Sequence, residues 1–513
     1  MGLPFCPVRL EARLQNAGER KRHPRRNHVL GAAILVALVS ALAVAGPGPA
    51  PKVAHALTRQ NIVLILTDDQ RWDSLQYMPN VESLLVGRGV TFANAFDNDP
   101  LCCPTRSTIL TGLTSGHNGV WNNGSDKGGP DSSGGFSAFV NNGDQSRQIF
   151  GWLHGAGYQT ALIGKFLNGY NPPEASWILP GVDDWHAMTL KQLKGTPCNA
   201  GGYFGTCYSD SGVLVKHPDS EYSTTATGSE AVSFIQNADP SKPLFLYYAP
   251  RAPHSPTTPE PNYANACPSV TPIRPPSFGA TIVNGPAYME HRKSITSVKA
   301  TKIDAHWTDD CRTLLSVDDQ VGNIVNALSS TGRLSNTLIM FTSDNGLAFG
   351  EDRWLGKTVP YEPSIRVPVV VRDDAVIPWY RRGDSAAQDI TSLDYTPTFL
   401  QAAGLSGSGL DGQSLFPLVG GGGYWRDQNA VLLEHGLGGS EDEGVPSYCG
   451  IRDPGYMYAQ YSTGEEELYD LRADPFELVN VAAQWSYSRV LSQMRSEAHS
   501  LCSPTPPGFH WAH

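Results

Sequence analysis

Short, uninterrupted apolar runs constrain the fold of this chain more than any other feature of its sequence. Each is of strand length and partly β-branched, as expected for strands that are covered on both faces. The runs span residues 61–66, 158–163, 243–248, 337–342 and 367–371. Segments of helical character, such as 223–237 and 302–328, lie between them. This alternation predicts an α/β fold with a mixed, mostly parallel sheet flanked by helices.

Polar residues directly after two of these runs predict a metal site. In a parallel sheet, functional groups gather beyond the carboxyl ends of the strands, so the residues that follow the five runs are the first place to look for a site. Asp68 and Asp69 follow the first run, and Asp344 and Asn345 follow the fourth. Neighbouring carboxylates need a compensating cation, and these oxygen donors suit Ca²⁺ or Mg²⁺ better than zinc. The alternative is that each aspartate only caps a turn or a helix.

A Gly-rich stretch suggests how the chain is divided. We predict a catalytic α/β domain over 57–403, a linker over 404–423 and a smaller C-terminal α+β domain over 424–513. In the last of these, the runs 455–461 and 467–471 flank a turn and predict an antiparallel hairpin. The C-terminal domain is therefore expected to contain a small antiparallel sheet.

Residues 1–56 have the pattern of an export signal. A basic segment at 20–26 precedes the charge-free run 29–45, and Ala54-His55-Ala56 supplies a small-x-small cleavage site. The Arg25-Arg26 pair hints at twin-arginine export. The alternative is a retained membrane anchor, because the run is just long enough to span a bilayer. We predict cleavage and export, with no stable membrane insertion of the mature chain.

The charge and the cysteine content limit the kinds of binding partner and the cellular compartment that we expect. Residues 57–513 carry 30 basic and 47 acidic side chains, a balance that argues against nucleic acid as a partner. A local basic cluster can still bind an anionic substrate. Apart from Cys6 and the Cys102-Cys103 pair, six cysteines remain, which allows three disulfides in an oxidising compartment. Of the fifteen possible pairings, we favour 198–207, 267–311 and 449–502.

The segment 101–112, Leu-Cys-Cys-Pro-Thr-Arg-Ser-Thr-Ile-Leu-Thr-Gly, carries the most specific motif. It resembles the signature of the sulfatase family, Cys-x-Pro-x-Arg followed by Leu-Thr-Gly. In that family a formylglycine-generating enzyme oxidises the first cysteine to formylglycine, the nucleophile. Only Cys102 stands two residues before Pro104 and four before Arg106. Without the resemblance, a vicinal cysteine pair indicates buried packing or redox thiols.

The resemblance extends from residue 61 to about residue 480 and implies an alkaline-phosphatase-like fold. Its further motifs include Gly164-Lys165, Ala252-Pro253-His254 and Gly356-Lys357. By position, it implies that one Ca²⁺ is held by Asp68, Asp69, Asp344, Asn345 and the formylglycine derived from Cys102. It also implies that the sulfate is surrounded by Arg106, Lys165, His254 and Lys357.

The mechanism implied by the resemblance uses the hydrated aldehyde. One hydroxyl attacks sulfur, with its charge stabilised by Arg106 and the metal, and Lys165 and Lys357 neutralise the sulfuryl oxygens. His254 protonates the departing alcohol. The second hydroxyl then loses its proton and expels sulfate. Many sulfatases have a His two residues after the Gly-Lys lysine to assist this elimination, but Leu167 stands there in this chain, followed by Asn168.

Three motifs resemble those of the N-acetylglucosamine-6-sulfatase and arylsulfatase branch. They are Gly164-Lys165-Phe166-Leu167-Asn168, the Cys-Cys-Pro sequence and Gly116-His117-Asn118. This implies a sugar 6-O-sulfate as substrate, with aryl sulfates accepted artificially. One alternative is a phosphatase or phosphonate monoester hydrolase of the alkaline phosphatase superfamily. The other is a non-catalytic protein that binds sulfated glycans and keeps Cys102 unconverted.

Overall fold

Five strands of the structure follow the five predicted apolar runs of the sequence. The computed structural model describes residues 59–124, 134–171, 174–189, 202–268, 270, 272–425, 430–437 and 444–512, so the predicted export signal lies outside the described residues. The strands are β1 (Asn61–Thr67), β2 (Val90–Phe96), β3 (Gln159–Lys165), β4 (Asp184–Met188), β5 (Cys207–Asp210), β6 (Val213–Lys216), β7 (Leu244–Ala249), β8 (Thr337–Ser343), β9 (Ala348–Phe349), β10 (Leu355–Gly356), β11 (Val369–Asp373), β12 (Asp384–Thr391), β13 (Val431–His435), β14 (Tyr448–Arg452), β15 (Tyr456–Tyr461) and β16 (Glu466–Asp470).

The helices include both of the segments predicted from the sequence, now α5 and α7. They are α1 (Cys102–Thr111), α2 (Ser115–Asn118), α3 (Gly135–Asn141), α4 (Ile149–Gly155), α5 (Ser223–Asn237), α6 (Ala287–Glu290), α7 (Ser297–Ser330), α8 (Glu362–Ile365), α9 (Tyr395–Ala402), α10 (Phe416–Val419) and α11 (Ser488–Leu501).

Ten strands of the described residues form one sheet, in the order β12-β2-β11-β8-β1-β7-β3-β4-β5-β6. The central strands β8, β1, β7, β3 and β4 are mutually parallel, so their carboxyl ends meet at one edge. The prediction of a mixed, mostly parallel sheet is thus confirmed at its centre. Residues that follow β1, β3, β7 and β8 are brought together at this edge.

The last of the five predicted strands runs in the opposite direction. β11 is antiparallel to β8, because the segment between them leaves and returns at the same edge. The residues that follow β11 therefore lie at the other edge, where Asp373 accepts hydrogen bonds of 2.8 and 2.9 Å from Gln60, just before β1. The residues after this run therefore do not join those that follow the other four runs, and Lys357 instead precedes β11.

Both faces of the sheet are covered. Along β1, Ile62, Leu64 and Leu66 belong to one apolar core, which also contains buried residues of α1, α4 and α9. Val63 and Ile65 belong to a second core, shared with α5 and α7. A strand that is buried on both faces reads as a continuous apolar run, which is why β1 shows no alternation of polar and apolar residues.

A second sheet of the described residues is antiparallel, in the order β13-β14-β15-β16, and the predicted hairpin forms β15 and β16. Its core also contains Trp354, Tyr361 and Ile365, which flank Lys357 in the sequence. The small sheet therefore supports the segment that carries this lysine. The domain limits 57–403, 404–423 and 424–513 stay predictions.

The disulfides agree with the predicted pairing where both cysteines are described. Cys267 is bonded to Cys311 and Cys449 to Cys502. Cys207 is also disulfide-bonded, whereas Cys198, the partner that we predict for it, lies outside the described residues. Among the described helices, none is both long and apolar enough to cross a membrane.

A buried carboxyl group lies in the core of the small sheet. Glu467 accepts hydrogen bonds from the hydroxyl groups of Tyr361, Tyr461 and Tyr469. Burial raises the pKa of Glu467 from 4.5 to about 7, although these three hydroxyls oppose the shift. The folded protein therefore retains a proton that the unfolded chain loses between these two pH values, and its stability falls as the pH rises through this window.

We expect Glu467→Gln to remove this pH dependence. Relative to the wild type, the free energy of unfolding of the variant should rise by up to about 3 kcal/mol between pH 4.5 and pH 7.5. Urea unfolding at several pH values measures this difference. Glu465→Gln, at a half-buried position in the preceding turn, is the matched control. A difference between Glu467→Gln and wild type that stays constant with pH contradicts the prediction.

Candidate active site

Two aspartates at the end of β1 form the centre of a buried polar cluster. Asp69 has a left-handed backbone conformation, with φ of 66°, which lets its carboxylate lie beside that of Asp68. Lys165 donates to Asp68 over 2.7 Å, and Lys357 donates to Asp69 over 2.7 Å. Each carboxylate thus has a lysine partner, which lowers the cost of burying its charge.

The residues after β8 join the same cluster because β8 is the parallel neighbour of β1. Arg106 Nε donates to Asp344 Oδ2 over 2.8 Å, and the Asp69 backbone N–H donates to Asp344 Oδ1 over 3.2 Å. Asn345 Nδ2 donates to Asp69 Oδ1 over 2.7 Å. Arg106 also donates to the carbonyl oxygen of Lys165, at the end of β3. Residues from three strands and α1 are therefore linked directly.

The two adjacent cysteines face different surroundings. Cys102 is the first residue of α1, and its Sγ lies 3.0 Å from Lys357 Nζ and 3.6 Å from Asp68 Oδ1. Cys103 instead lies in the apolar core, where its Sγ accepts a hydrogen bond from the backbone of Asn168. Of the two, Cys102 faces the polar cluster, as the spacing of the motif predicts.

His254 reaches the cluster from the loop after β7. Its Nε2 lies 3.7 Å from Asp69 Oδ2, and its Nδ1–H donates to the carbonyl oxygen of Ser255. Burial lowers the pKa of His254 below its usual value, outweighing the opposing effect of Asp68 and Asp69. The histidine is therefore held mainly neutral near pH 7, with Nε2 turned towards Asp69.

The charges of the cluster shift the pKa values of its acids in different directions. Burial alone would raise the pKa of Asp68, but the charge of Lys165, supported by those of Arg106 and Lys357, holds it well below the usual range. Burial raises the pKa of Asp344 to about 6, aided by the charge of Asp68 and opposed by Arg106. Burial also raises the pKa of the Cys102 thiol, so an unmodified Cys102 is protonated at neutral pH.

The donor atoms suit a divalent cation. Potential ligand atoms of Asp68, Asp69, Cys102 and His254 all lie within 4.8 Å of one another. Asn345 Oδ1 is buried and accepts no hydrogen bond within the described part of the chain. Asp344 Oδ1, which accepts from the Asp69 backbone, adjoins this group. Because most of these donors are oxygens, they favour a hard ion such as Ca²⁺ over zinc.

All nine site residues predicted from the sequence lie in this one connected cluster. Leu167, which replaces the histidine of many sulfatases, is buried in the apolar core and contributes no base. His117 pairs with Asp411 over 2.7 Å instead of joining the cluster.

Sequence reasoning missed one wall of the adjoining cavity. This cavity has a volume of about 490 Å³ and is lined by Asp69, His254 and Lys357 from the cluster. It is also lined by Lys299, Lys302 and His306 of α7. The i, i+3 and i+7 spacing of these three residues places them on one face of the helix and is the signal that could have identified them.

Comparison with known proteins agrees with this site. The sulfatase family model matches residues 60–405, and the model for the C-terminal part of N-sulphoglucosamine sulphohydrolase matches 350–503. The N-acetylglucosamine-6-sulfatase of Homo sapiens is 29% identical over 523 residues, covering 94% of this chain and 89% of the human protein. The chain is thus similar to a curated relative over almost its whole length.

Two solved structures show that the fold is shared. One, a protein in complex with its substrate D-glucosamine-2-N,6-O-disulfate, has a TM-score of 0.72 and 23% identity, and covers 86% of this chain and 97% of that one. The other, the phosphonate monoester hydrolase of Agrobacterium radiobacter, has a TM-score of 0.65 and 22% identity, and covers 86% and 95%. Since the family model covers the large sheet and every strand end that builds the cluster, this chain belongs to the sulfatase family and is a sulfuric ester hydrolase.

Proposed function

We propose that this sulfatase removes a 6-O-sulfate from a glucosamine-type sugar, with a formylglycine formed from Cys102 and a bound Ca²⁺ ion. The position of Cys102 carries this proposal. Its side chain lies at the first turn of α1 between Lys357 and Asp68, whereas Cys103 faces the core. A modified side chain at 102 would therefore lie against the lysines and the oxygen donors.

Asp68, Asp69, Asp344 and Asn345 would hold the metal, together with residue 102. When bound, Ca²⁺ would supply positive charge that polarises the sulfate and stabilises the negative charge of the nucleophile. Formylglycine, as its hydrate, would supply one hydroxyl that attacks sulfur and a second whose deprotonation expels sulfate. This second step is not open to an ordinary serine or cysteine, which explains why the modification is needed.

The chain's own cations are already in place for a sulfate. Lys165, Lys357 and Arg106 are each held by a carboxylate at 2.7–2.8 Å, so no side chain must reorganise when negative charge develops. Fixed charges in a buried site stabilise a transition state more than mobile charges in water do. We assign these three residues to the sulfuryl oxygens and the nucleophile.

His254 is our candidate for the group that protonates the departing alcohol. Its Nδ1–H is fixed on a backbone carbonyl, which leaves Nε2 on the cavity side. The ring is mainly neutral near pH 7, so it is the protonated form that would donate its Nε2 proton to the leaving oxygen. A sugar hydroxyl is a poor leaving group, so its protonation lowers the barrier. A base for the elimination step is not assigned, because Leu167 faces the core.

The proposed substrate class is supported by the relatives. The human relative is an N-acetylglucosamine-6-sulfatase, and the substrate in the structural neighbour carries sulfates at the 2-N and 6-O positions. The segment Gly164-Lys165-Phe166-Leu167-Asn168 and the Cys-Cys-Pro motif support the same branch. The cavity volume is within the range typical of small-molecule sites.

The competing function is phosphate or phosphonate ester hydrolysis, since a phosphonate monoester hydrolase shares the fold. We expect kcat/KM for nitrophenyl sulfate to exceed that for nitrophenyl phosphate by about tenfold or more, because the chain belongs to the sulfatase family. Parallel assays on the same purified, Ca²⁺-loaded protein measure this ratio. Faster turnover of the phosphate ester would reverse the assignment.

We also propose that the protein is exported, with residues 1–56 cleaved, and that a formylglycine-generating enzyme acts on it. The disulfides Cys267–Cys311 and Cys449–Cys502 support an oxidising compartment. The excess of acidic side chains is consistent with our expectation that nucleic acid is not a partner. Mass spectrometry of the N-terminal peptide of the mature protein tests the cleavage.

A further inference from the structure

Two lysines on α7 line the cavity without any role in the cluster described above. Lys299 and Lys302 lie in the first two turns of the helix and line the same cavity as Asp69, His254 and Lys357. Lys299 is half-buried and Lys302 is exposed. They therefore extend the positive charge of the active site from its buried floor along one wall.

The position of Lys299 on the helix is electrostatically unfavourable, and in the described part of the chain neither lysine is compensated by a neighbouring carboxylate. The N-terminus of a helix carries partial positive charge, which disfavours cations in the first turn, where Lys299 lies. The first turn of α7 contains no acidic residue that would offset this effect. Within the described residues, neither lysine forms an ion pair, that is, no carboxylate oxygen lies within 4.0 Å of its Nζ. Asp304, the next acidic residue of α7, pairs with Arg274 instead.

Unpaired cations that face a cavity favour an anion there. The helix N-terminus adds to the attraction, since its backbone N–H groups and its dipole also favour negative charge. Ile303, Leu347 and Phe349 supply apolar surface in the same cavity, against which the face of a sugar ring can pack. The cavity thus offers apolar contacts as well as cations.

We propose that Lys299 and Lys302 bind a second anionic group of the substrate, a sulfate or a carboxylate, while the scissile sulfate lies at Lys165 and Lys357. The enzyme would then prefer multiply charged glycans to singly sulfated sugars. This inference rests on the proposed function and deepens it. The two anions have different sources, since a sulfate belongs to the same sugar and a carboxylate to a neighbouring uronic acid.

The test compares three substrates that share the 6-O-sulfate. The first is N-acetylglucosamine 6-sulfate, which has no second anion. The second is D-glucosamine-2-N,6-O-disulfate, and the third is a disaccharide that adds one uronic acid to N-acetylglucosamine 6-sulfate. The enzymes are the wild type, Lys299→Gln/Lys302→Gln and Lys299→Arg/Lys302→Arg. Lys293→Gln is the matched control, because Lys293 is exposed just before α7 and does not line the cavity.

The measured quantity is the ratio of kcat/KM for a doubly charged substrate to kcat/KM for the singly charged one. We expect this ratio to be about tenfold lower in the glutamine double variant than in the wild type, mainly because KM for the doubly charged substrate rises. The arginine variant and Lys293→Gln should keep the wild-type ratio. A fall for the disulfate alone assigns the lysines to a sulfate, and a fall for the disaccharide alone assigns them to a carboxylate. Raised salt should reduce the wild-type preference.

The possible failures are distinguishable. If the wild type hydrolyses all three substrates and the ratios are unchanged in the double variant, the inference is overturned and the proposed function stands. If the Ca²⁺-loaded wild type hydrolyses none of them, both are overturned. A double variant that loses activity equally on all three substrates also overturns the inference, and a thermal unfolding curve then shows whether the fold has been lost.

Discussion

Cys102→Ala is expected to reduce sulfate ester hydrolysis by at least about 10⁴-fold, whereas Cys103→Ala should leave kcat within about fivefold of the wild type. The reason is that residue 102 lies between Lys357 and Asp68 in the polar cluster, and residue 103 packs in the core. Steady-state assays with nitrophenyl sulfate measure both effects. Cys103→Ala removes core contacts and should lower stability by about 1 kcal/mol.

Mass spectrometry of the tryptic peptide that contains residue 102 separates the nucleophile hypothesis from a binding role. An aldehyde and a thiol differ in mass, and only the aldehyde reacts with a hydrazide probe. We expect the active wild type to contain the aldehyde at 102 and a thiol at 103. Fully active protein with an unmodified thiol at 102 would refute the formylglycine mechanism, and unmodified, inactive protein would favour the glycan-binding alternative.

The second large effect is expected for Asp69→Asn. Asparagine tolerates the left-handed backbone conformation of this residue, so the substitution removes charge with little backbone strain. It leaves Lys357 without its carboxylate partner and removes one of the proposed metal ligands. We expect kcat/KM to fall by about 10²–10³-fold and the Ca²⁺ concentration for half-maximal activity to rise.

Asp374→Asn is the matched control for this experiment. Asp374 follows β11 at the opposite edge of the same sheet, where it pairs with Arg372 over 2.8 Å. The same chemical change should alter kcat/KM there by less than about twofold. Ca²⁺-dependent stabilisation, measured by thermal unfolding, gives a second readout that does not need substrate. If Asp69→Asn keeps both the activity and the Ca²⁺ stabilisation of the wild type, the proposed ligand set is wrong.

Much of the central fold could be predicted because its determinants are local. The run at 61–66 is continuously apolar since β1 is covered on both faces, and α5 and the hairpin β15–β16 follow patterns that span only a few residues. Site prediction worked for a related reason. Parallel strands bring their carboxyl ends together, so Asp68 and Asp344 meet although 276 positions separate them in the chain numbering.

The direction of β11 and the cavity wall formed by α7 could not be predicted from such local patterns. The apolar run at 367–371 is compatible with either direction, and only the return of the preceding segment to the same edge makes β11 antiparallel. Lys299 and Lys302 look like ordinary surface charges in the sequence, because their spacing says which face they share but not what that face contacts. The sequence likewise does not distinguish Glu467 from other strand glutamates, because only the folded structure brings the hydroxyls of three tyrosines to its carboxyl group.

The sequence alone therefore determined four of the central strands (β1, β3, β7 and β8), the register that distinguishes Cys102 from Cys103, and the family. The tertiary structure decided which cations surround residue 102, which way β11 runs, and that α7 forms a wall of the cavity. The physical reason is that helix and strand propensity and hydrophobic periodicity depend only on residues that are close together in the chain. The contact of Lys357 with Cys102 spans 255 residues and exists only after the sheets have packed.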